Sequence, residues 1–243
     1  TAGITRLKSF QNSSGGLGYW PGAGSNMWGT SYAGHFLLEA KEQGYALPPG
    51  MLEQWVNFQT NQASAWAGSN SRSDQLIQAY RLYGLALAKA PDLSSMNRLK
   101  EHKGLHLQAR WRLAAAYHLA GQQQVARTLV DGQSMESGQY SGHGTTYGSA
   151  LRDLALILDT LALIGDRERA MELVQTVDEA NCLQTQLGAQ ARYFVRQGRA
   201  FTPEQRAARF LEEAMKLRII QGYDDPTFSR VALTLDMPAK GES

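Results

Sequence analysis

Helical segments that come in pairs, each pair folded over at a glycine or a chain-stopping residue, constrain this chain more than any other feature. Leu76, Tyr80, Tyr83 and Leu87 recur at helical spacing, as do Leu151, Leu154, Ala155, Leu158 and Leu161, and Ala109, Leu113, Ala116, Tyr117 and Ala120 form a third stripe. Residues spaced this way share one helix face, and a face built of Leu, Ala and Tyr is a buried one. The pairs follow one another as 35–44 with 49–62, 75–90 with 93–100, 107–121 with 122–130, and 151–165 with 167–177. Ser73-Asp74 predicts the start of a helix that runs to Ala90, where Pro91 stops it. Gly121 and Gly165 stand where helices end in the left-handed region, and Thr202-Pro203-Glu204 puts proline in a first turn.

An all-α fold follows. The exception expected is a short β segment at the C-terminus, where Val231 to Asp236 alternates like an exposed strand before Met237-Pro238 halts it. Paired helices close in two ways. One is a solenoid of tetratricopeptide type, and the segment 114–129 looks like half of such a unit. The other is an α/α toroid of helical hairpins. The hinges are 46 apart from Gly44 to Ala90, 31 from Ala90 to Gly121 and 44 from Gly121 to Gly165, so no fixed period holds. Long loops at 12–30, 64–73 and 131–148 also have no counterpart in short-turn solenoids, and the toroid is the closure expected. Residues 1–222 are read as that toroid and as a fragment of a longer chain, because a helix is already under way at the first residues; 223–243 are read as the strand-like segment or a linker.

Charge and composition exclude several functions. Lys and Arg number 24 against 22 Asp and Glu, with no long run of either sign, which argues against a nucleic-acid partner. No apolar run is long enough to span a membrane, and the N-terminus lacks the order of a signal peptide. The single cysteine, Cys182, permits no internal disulfide and has no histidine near it in sequence, so it reads as an inert buried thiol.

The chemistry-bearing candidates sit mostly in loops. Trp20, Trp28 and Trp66 offer either a partner-facing patch or plugs over the ends of the helical layers, and Tyr147 is read the same way. His143, in a Gly/Ser/Thr loop, is either an interface residue or an idle surface histidine. His102 and His106 stand four apart, yet Gly104 interrupts them and no third ligand is evident, so no metal is expected. His35 and His118 lie on apolar helices as core or half-buried positions, and Arg152-Asp153 reads as an ion pair. A toroid enzyme would need an acidic cluster to bind diphosphate or two carboxylates at one rim. Asp224-Asp225 is followed by Pro226, and the loop 131–148 offers only Asp131 and Glu136, so neither a terpene cyclase nor a glycosidase is expected, and no cofactor.

Longer motifs carry a resemblance. Gln11 to Gly22 with its Gly15-Gly16 pair, Trp28-Gly29-Thr30-Ser31-Tyr32, Tyr147-Gly148-Ser149 with Arg152-Asp153, and Gln184-Thr185-Gln186 occur in the order found in the thioester domain of the alpha-2-macroglobulin and complement superfamily. The bacterial branch, the Bacteroidetes type in particular, is the most similar. The resemblance implies a toroid domain of an exported, periplasmic or extracellular protease trap with no catalysis of its own. Its partners would be target proteases and the other domains of the parent macroglobulin. The family's Pro-Tyr-Gly-Cys-x-Glu-Gln motif is not in this chain, and Cys182 lies too far downstream in the family's order to replace it. In the complement branch a histidine before the helix corresponding to 74–90 takes over the acyl group; the loop 64–73 has none, which implies direct attack by amines. The alternatives that remain are a helical-repeat binding scaffold and, further off, a toroid enzyme.

Overall fold

Short polar side chains decide where several of the described helices begin. In the computed structural model, which describes residues 2–137 and 146–179, Asn26 accepts a hydrogen bond from Gly29 N at 2.7 Å and starts α2 (Met27–Glu42). Ser71 likewise starts α4 (Arg72–Leu87), Asp92 starts α5 (Leu93–Lys100) and Ser149 starts α8 (Ala150–Ile164). The remaining helices are α1 (Ala2–Lys8), α3 (Met51–Ala65), α6 (Leu107–Leu119), α7 (Gln123–Val130) and α9 (Arg167–Glu179). Among the described residues the only β pairing is an isolated bridge between Gln11 and Leu17. The described residues all belong to the unit Thr1–Ala200; the unit Phe201–Ser243 lies outside them.

Several boundaries differ from the sequence expectation. α2 begins at Met27 because Asn26 caps it, while the sequence pattern counted the first pair only from residue 35. Ser71, not Ser73, caps α4, and α4 ends before Ala90 because Lys89 takes φ +61 and Ala90 N reaches back to Leu85 O at 2.9 Å. Gly121 and Gly165 adopt positive φ as expected. The expected β segment 231–236, Cys182, Gln184 to Gln186, Pro203, His143 and the boundary at 222–223 lie outside the described residues.

Two layers organise the helices. α2, α4, α6 and α8 pack side by side in chain order, and α3, α5 and α7 each pack on the two members of that layer between which they fall in sequence; α9 packs on α8. This inner and outer alternation is the arrangement of an α/α toroid. The inner helices run in one direction, because residues near their starts meet one another. Arg72 lies 3.4 Å from Asp153, Gln75 contacts the residues preceding α6, and the Arg152 guanidinium sits over the Trp28 ring at 5.4 Å. The loops that enter the inner helices therefore share one rim.

The loop into α2 is tied down by hydrogen bonds. Gln11 donates through Nε2 to Gly15 O at 3.0 Å and Met51 O at 2.9 Å, while the Thr30 hydroxyl exchanges bonds with the Leu17 backbone. Of the glycine pair, only Gly15 needs positive φ, at +93. Gly16 is required by space, since a Cβ there would stand 2.2 Å from Ser25 Oγ and 2.8 Å from the Phe58 ring.

Candidate functional site

The rim brings together most of the aromatic residues that the sequence singled out, in different degrees of exposure. Trp20 is 68% exposed beside Tyr19, whose ring centroid is 6.3 Å away. Tyr147, 57% exposed, donates its hydroxyl to the Tyr19 hydroxyl at 3.1 Å, joining the loop before α2 to the loop before α8. Tyr147 holds this place with φ +49, a conformation few non-glycine residues take. Burial, with the Tyr147 hydrogen bond adding to it, pushes the Tyr19 phenol up to about 12, so it stays protonated at neutral pH.

Trp28 is half-buried and works as a joint. Its ring lies 5.0 Å from that of Tyr80 and takes the Arg152 guanidinium on its other contact. Arg152 also donates to Asp153 at 2.9 Å and to Thr146 O at 2.7 Å, so the ion pair expected from the sequence is present and extends to Arg72. Trp66 departs from a partner-facing role, because it is buried. Its indole N–H reaches Asp74 Oδ2 at 3.3 Å, His102 packs edge-on against it, and its carbonyl accepts from Arg98. It covers the gap between the loop 66–71 and α5, which is what an apolar ring does when a turn exposes the layer beneath.

His102 and His106 converge on one residue. His102 Nε2 lies 3.3 Å from Asn70 Oδ1 and His106 Nε2 3.2 Å from Asn70 O, so both rings brace a loop. Gln75, for which no sequence signal stood out, is the hub there. It donates to Ser69 O at 2.8 Å and Gly104 O at 3.3 Å and accepts from His106 N at 2.7 Å.

Beneath the rim, a polar column crosses the inner helices. Glu39 Oε1 lies 3.3 Å from His35 Nε2, His35 Nδ1 lies 2.9 Å from the Tyr80 hydroxyl, and the Arg112 guanidinium covers Tyr83 at 4.3 Å while donating to Asp159 at 3.0 Å. Burial pushes the Tyr80 and Tyr83 phenols far up. Burial alone would lower the Arg112 guanidinium, but Asp159 and the two phenols outweigh it and the net shift is upward. The column thus joins two phenols held protonated by burial to a buried cation paired with its acid. His35 is the satisfied core histidine the sequence suggested. The signal for the rest was present as Arg112 and Asp159 embedded in apolar helix faces.

The rim offers exposed aromatic faces, phenol hydroxyls and fixed arginines, a chemistry suited to docking. No protein-family model matches the chain. Alpha-2-macroglobulin of Escherichia coli is 27% identical over an aligned span of 177 positions that covers 65% of this chain and 10% of that protein. The chain therefore spans about a tenth of the length of the curated relative it matches. Native E. coli alpha-2-macroglobulin, in a structure running from domain MG7 to the C-terminus, aligns with a TM-score of 0.60 at 21% identity over 87% of this chain and 34% of that one. Salmonella alpha-2-macroglobulin reacted with methylamine aligns with a TM-score of 0.60 at 22% identity, covering 87% of this chain and 14% of the other. Over 65% of its length this chain is thus similar in sequence to E. coli alpha-2-macroglobulin, and it shares the fold of the bacterial alpha-2-macroglobulin structures.

Proposed function

We propose that the chain is a domain of an exported, macroglobulin-like protease-trapping inhibitor, acting in the periplasm or outside the cell, and is not itself an enzyme. The observation that carries this reading is the match to E. coli alpha-2-macroglobulin over 177 residues, joined to the common fold. In this role the rim is the face turned toward the rest of the parent protein and the captured protease. Tyr19, Trp20 and Tyr147 supply its exposed contact area, and Trp28 and Arg152 hold that area in place. The reactive motif itself is not in this sequence, so a thioester would be carried by residues of the parent outside it.

Methylamine treatment of the full-length parent followed by mass spectrometry tests the reading. An intact thioester gains the amine and frees one thiol, and the same treatment abolishes covalent capture of trypsin. Protease held without covalent linkage would leave a trap but remove the thioester. No retention of any protease would overturn the proposal.

A further inference from the structure

Arg81 is a buried cation without an acid. It is 4% exposed, and its guanidinium donates from Nε to Gln59 Oε1 at 3.1 Å, from Nη1 to Gln78 Oε1, and from Nη2 to the Met27 sulfur at 3.5 Å. Among the described residues no carboxylate pairs with it, whereas the other deeply buried arginine, Arg112, has Asp159 at 3.0 Å. Burial pushes the Arg81 guanidinium down to about 10, and it remains charged at neutral pH, with Asp74 favouring the charge from a distance. Buried charges are as a rule paired, because an uncompensated ion loses its hydration for nothing in return.

The surroundings hold this charge in one orientation. Gln59 donates to the Ser31 hydroxyl at 3.0 Å, Ser31 donates to Met27 O at 3.2 Å, and Gln78 donates to Ala63 O at 3.1 Å. Both amides are thereby locked with their carbonyls toward the guanidinium. Only the Nη2 edge meets a weak acceptor, a thioether on a flexible side chain. Met27 is half-buried and is the first residue of α2, so this edge faces the rim.

We propose that Arg81 is the receptor for a carboxylate that enters at the rim and replaces the Met27 sulfur on Nη2. A planar guanidinium fixed by two amides is built to take a carboxylate oxygen, and the pair would neutralise a cation that, among the described residues, lies buried with no carboxylate paired to it. The assignment stands whether or not the chain belongs to a protease trap. The carboxylate is either a small free anion or an Asp or Glu side chain of a protein segment.

Thermal unfolding of the chain with sodium formate, against sodium chloride at equal ionic strength, tests it. Binding to the native state raises the midpoint by about 3 °C at ten times the dissociation constant. Acetylated, amidated Gly-Glu-Gly against Gly-Gln-Gly separates the sources: a larger shift per mole for the Glu peptide than for formate assigns a protein segment, and the reverse a free anion. Arg81→Met removes both responses. Should that variant not fold, Met27→Glu places a carboxylate on the site from within; it raises the midpoint above that of Met27→Gln and abolishes the formate response. Equal responses to formate and chloride in the unaltered chain, or a formate response that persists in Met27→Glu, overturn the proposal.

Discussion

The indole of Trp55 occupies the space that a side chain at Gly34 would need, so that a Cβ on Gly34 would stand 1.9 Å from Trp55 Cε2. The ring is fully buried and is fixed by its N–H to Thr30 O at 2.8 Å, so it cannot step aside. Gly34→Ala is expected to cost about 3 kcal/mol in urea unfolding, because overpacking a fixed ring forces the α2 and α3 backbones apart. Gly84 touches the same ring less tightly, with a Cβ at 3.0 Å from Trp55 Cη2. There the helix-propensity gain of about 1 kcal/mol offsets much of the strain, and Gly84→Ala should be close to neutral.

Asp159→Asn leaves the buried Arg112 guanidinium without its counter-charge, and the expected loss is about 3 kcal/mol of unfolding free energy. The double replacement Arg112→Met with Asp159→Leu should recover most of that loss, since two apolar groups need no desolvation repaid. A double-mutant cycle by urea denaturation reads the coupling directly.

Alkaline pH should weaken the fold through its phenols. Burial raises Tyr80 and Tyr83 far above the ordinary 10.0, and Tyr117 is pushed up to about 12 by burial, with Glu101 adding to the shift. The unfolded chain ionises these groups near pH 10 while the folded chain keeps them protonated, so above about pH 10 the native state binds more protons and stability falls as pH rises. Absorbance at 295 nm is expected to show at least two tyrosines still unionised at about pH 11, and the urea midpoint should drop over the same range.

Gln75→Leu should loosen the rim without unfolding the chain. The change strips the part-buried His106 N–H and the Ser69 and Gly104 carbonyls of their partner, at an expected cost of about 2 kcal/mol. Hydrogen exchange should accelerate at His106 and through the loop 66–71 well before it does in α4.

Trp20 and Trp66 should separate in their effects. Trp20→Ala, at an exposed position, is expected to change the stability of the isolated chain by less than about 0.5 kcal/mol while weakening its association with the rest of the parent protein. Trp66→Ala should cost about 3 kcal/mol or more of stability, as loss of a buried ring does. Equal losses of stability for the two would remove Trp20 from the docking role proposed for it.

The helix inventory was legible in the sequence because each amphipathic stripe and each glycine stop is a local feature with a local cause. Gly121 and Gly165 close helices where the pattern placed them, and His35 lies in the core that its apolar neighbours implied. Helix starts were less legible, since Asn26, Ser71 and Ser73 are all capable caps and only the surrounding loops select between them. The order of motifs was also readable, and it led to the same family as the match with E. coli alpha-2-macroglobulin. Tertiary structure alone decided which residues of separate hairpins meet. No local rule joins Tyr19 to Tyr147, brings Arg72 to Asp153, sets Gln75 between two loops or buries Trp66 while exposing Trp20. Nor does a sequence show that, among the described residues, Arg112 has its acid and Arg81 has none, because pairing of buried charges depends on how whole helices stack, and that is settled by the packing of the two layers against each other.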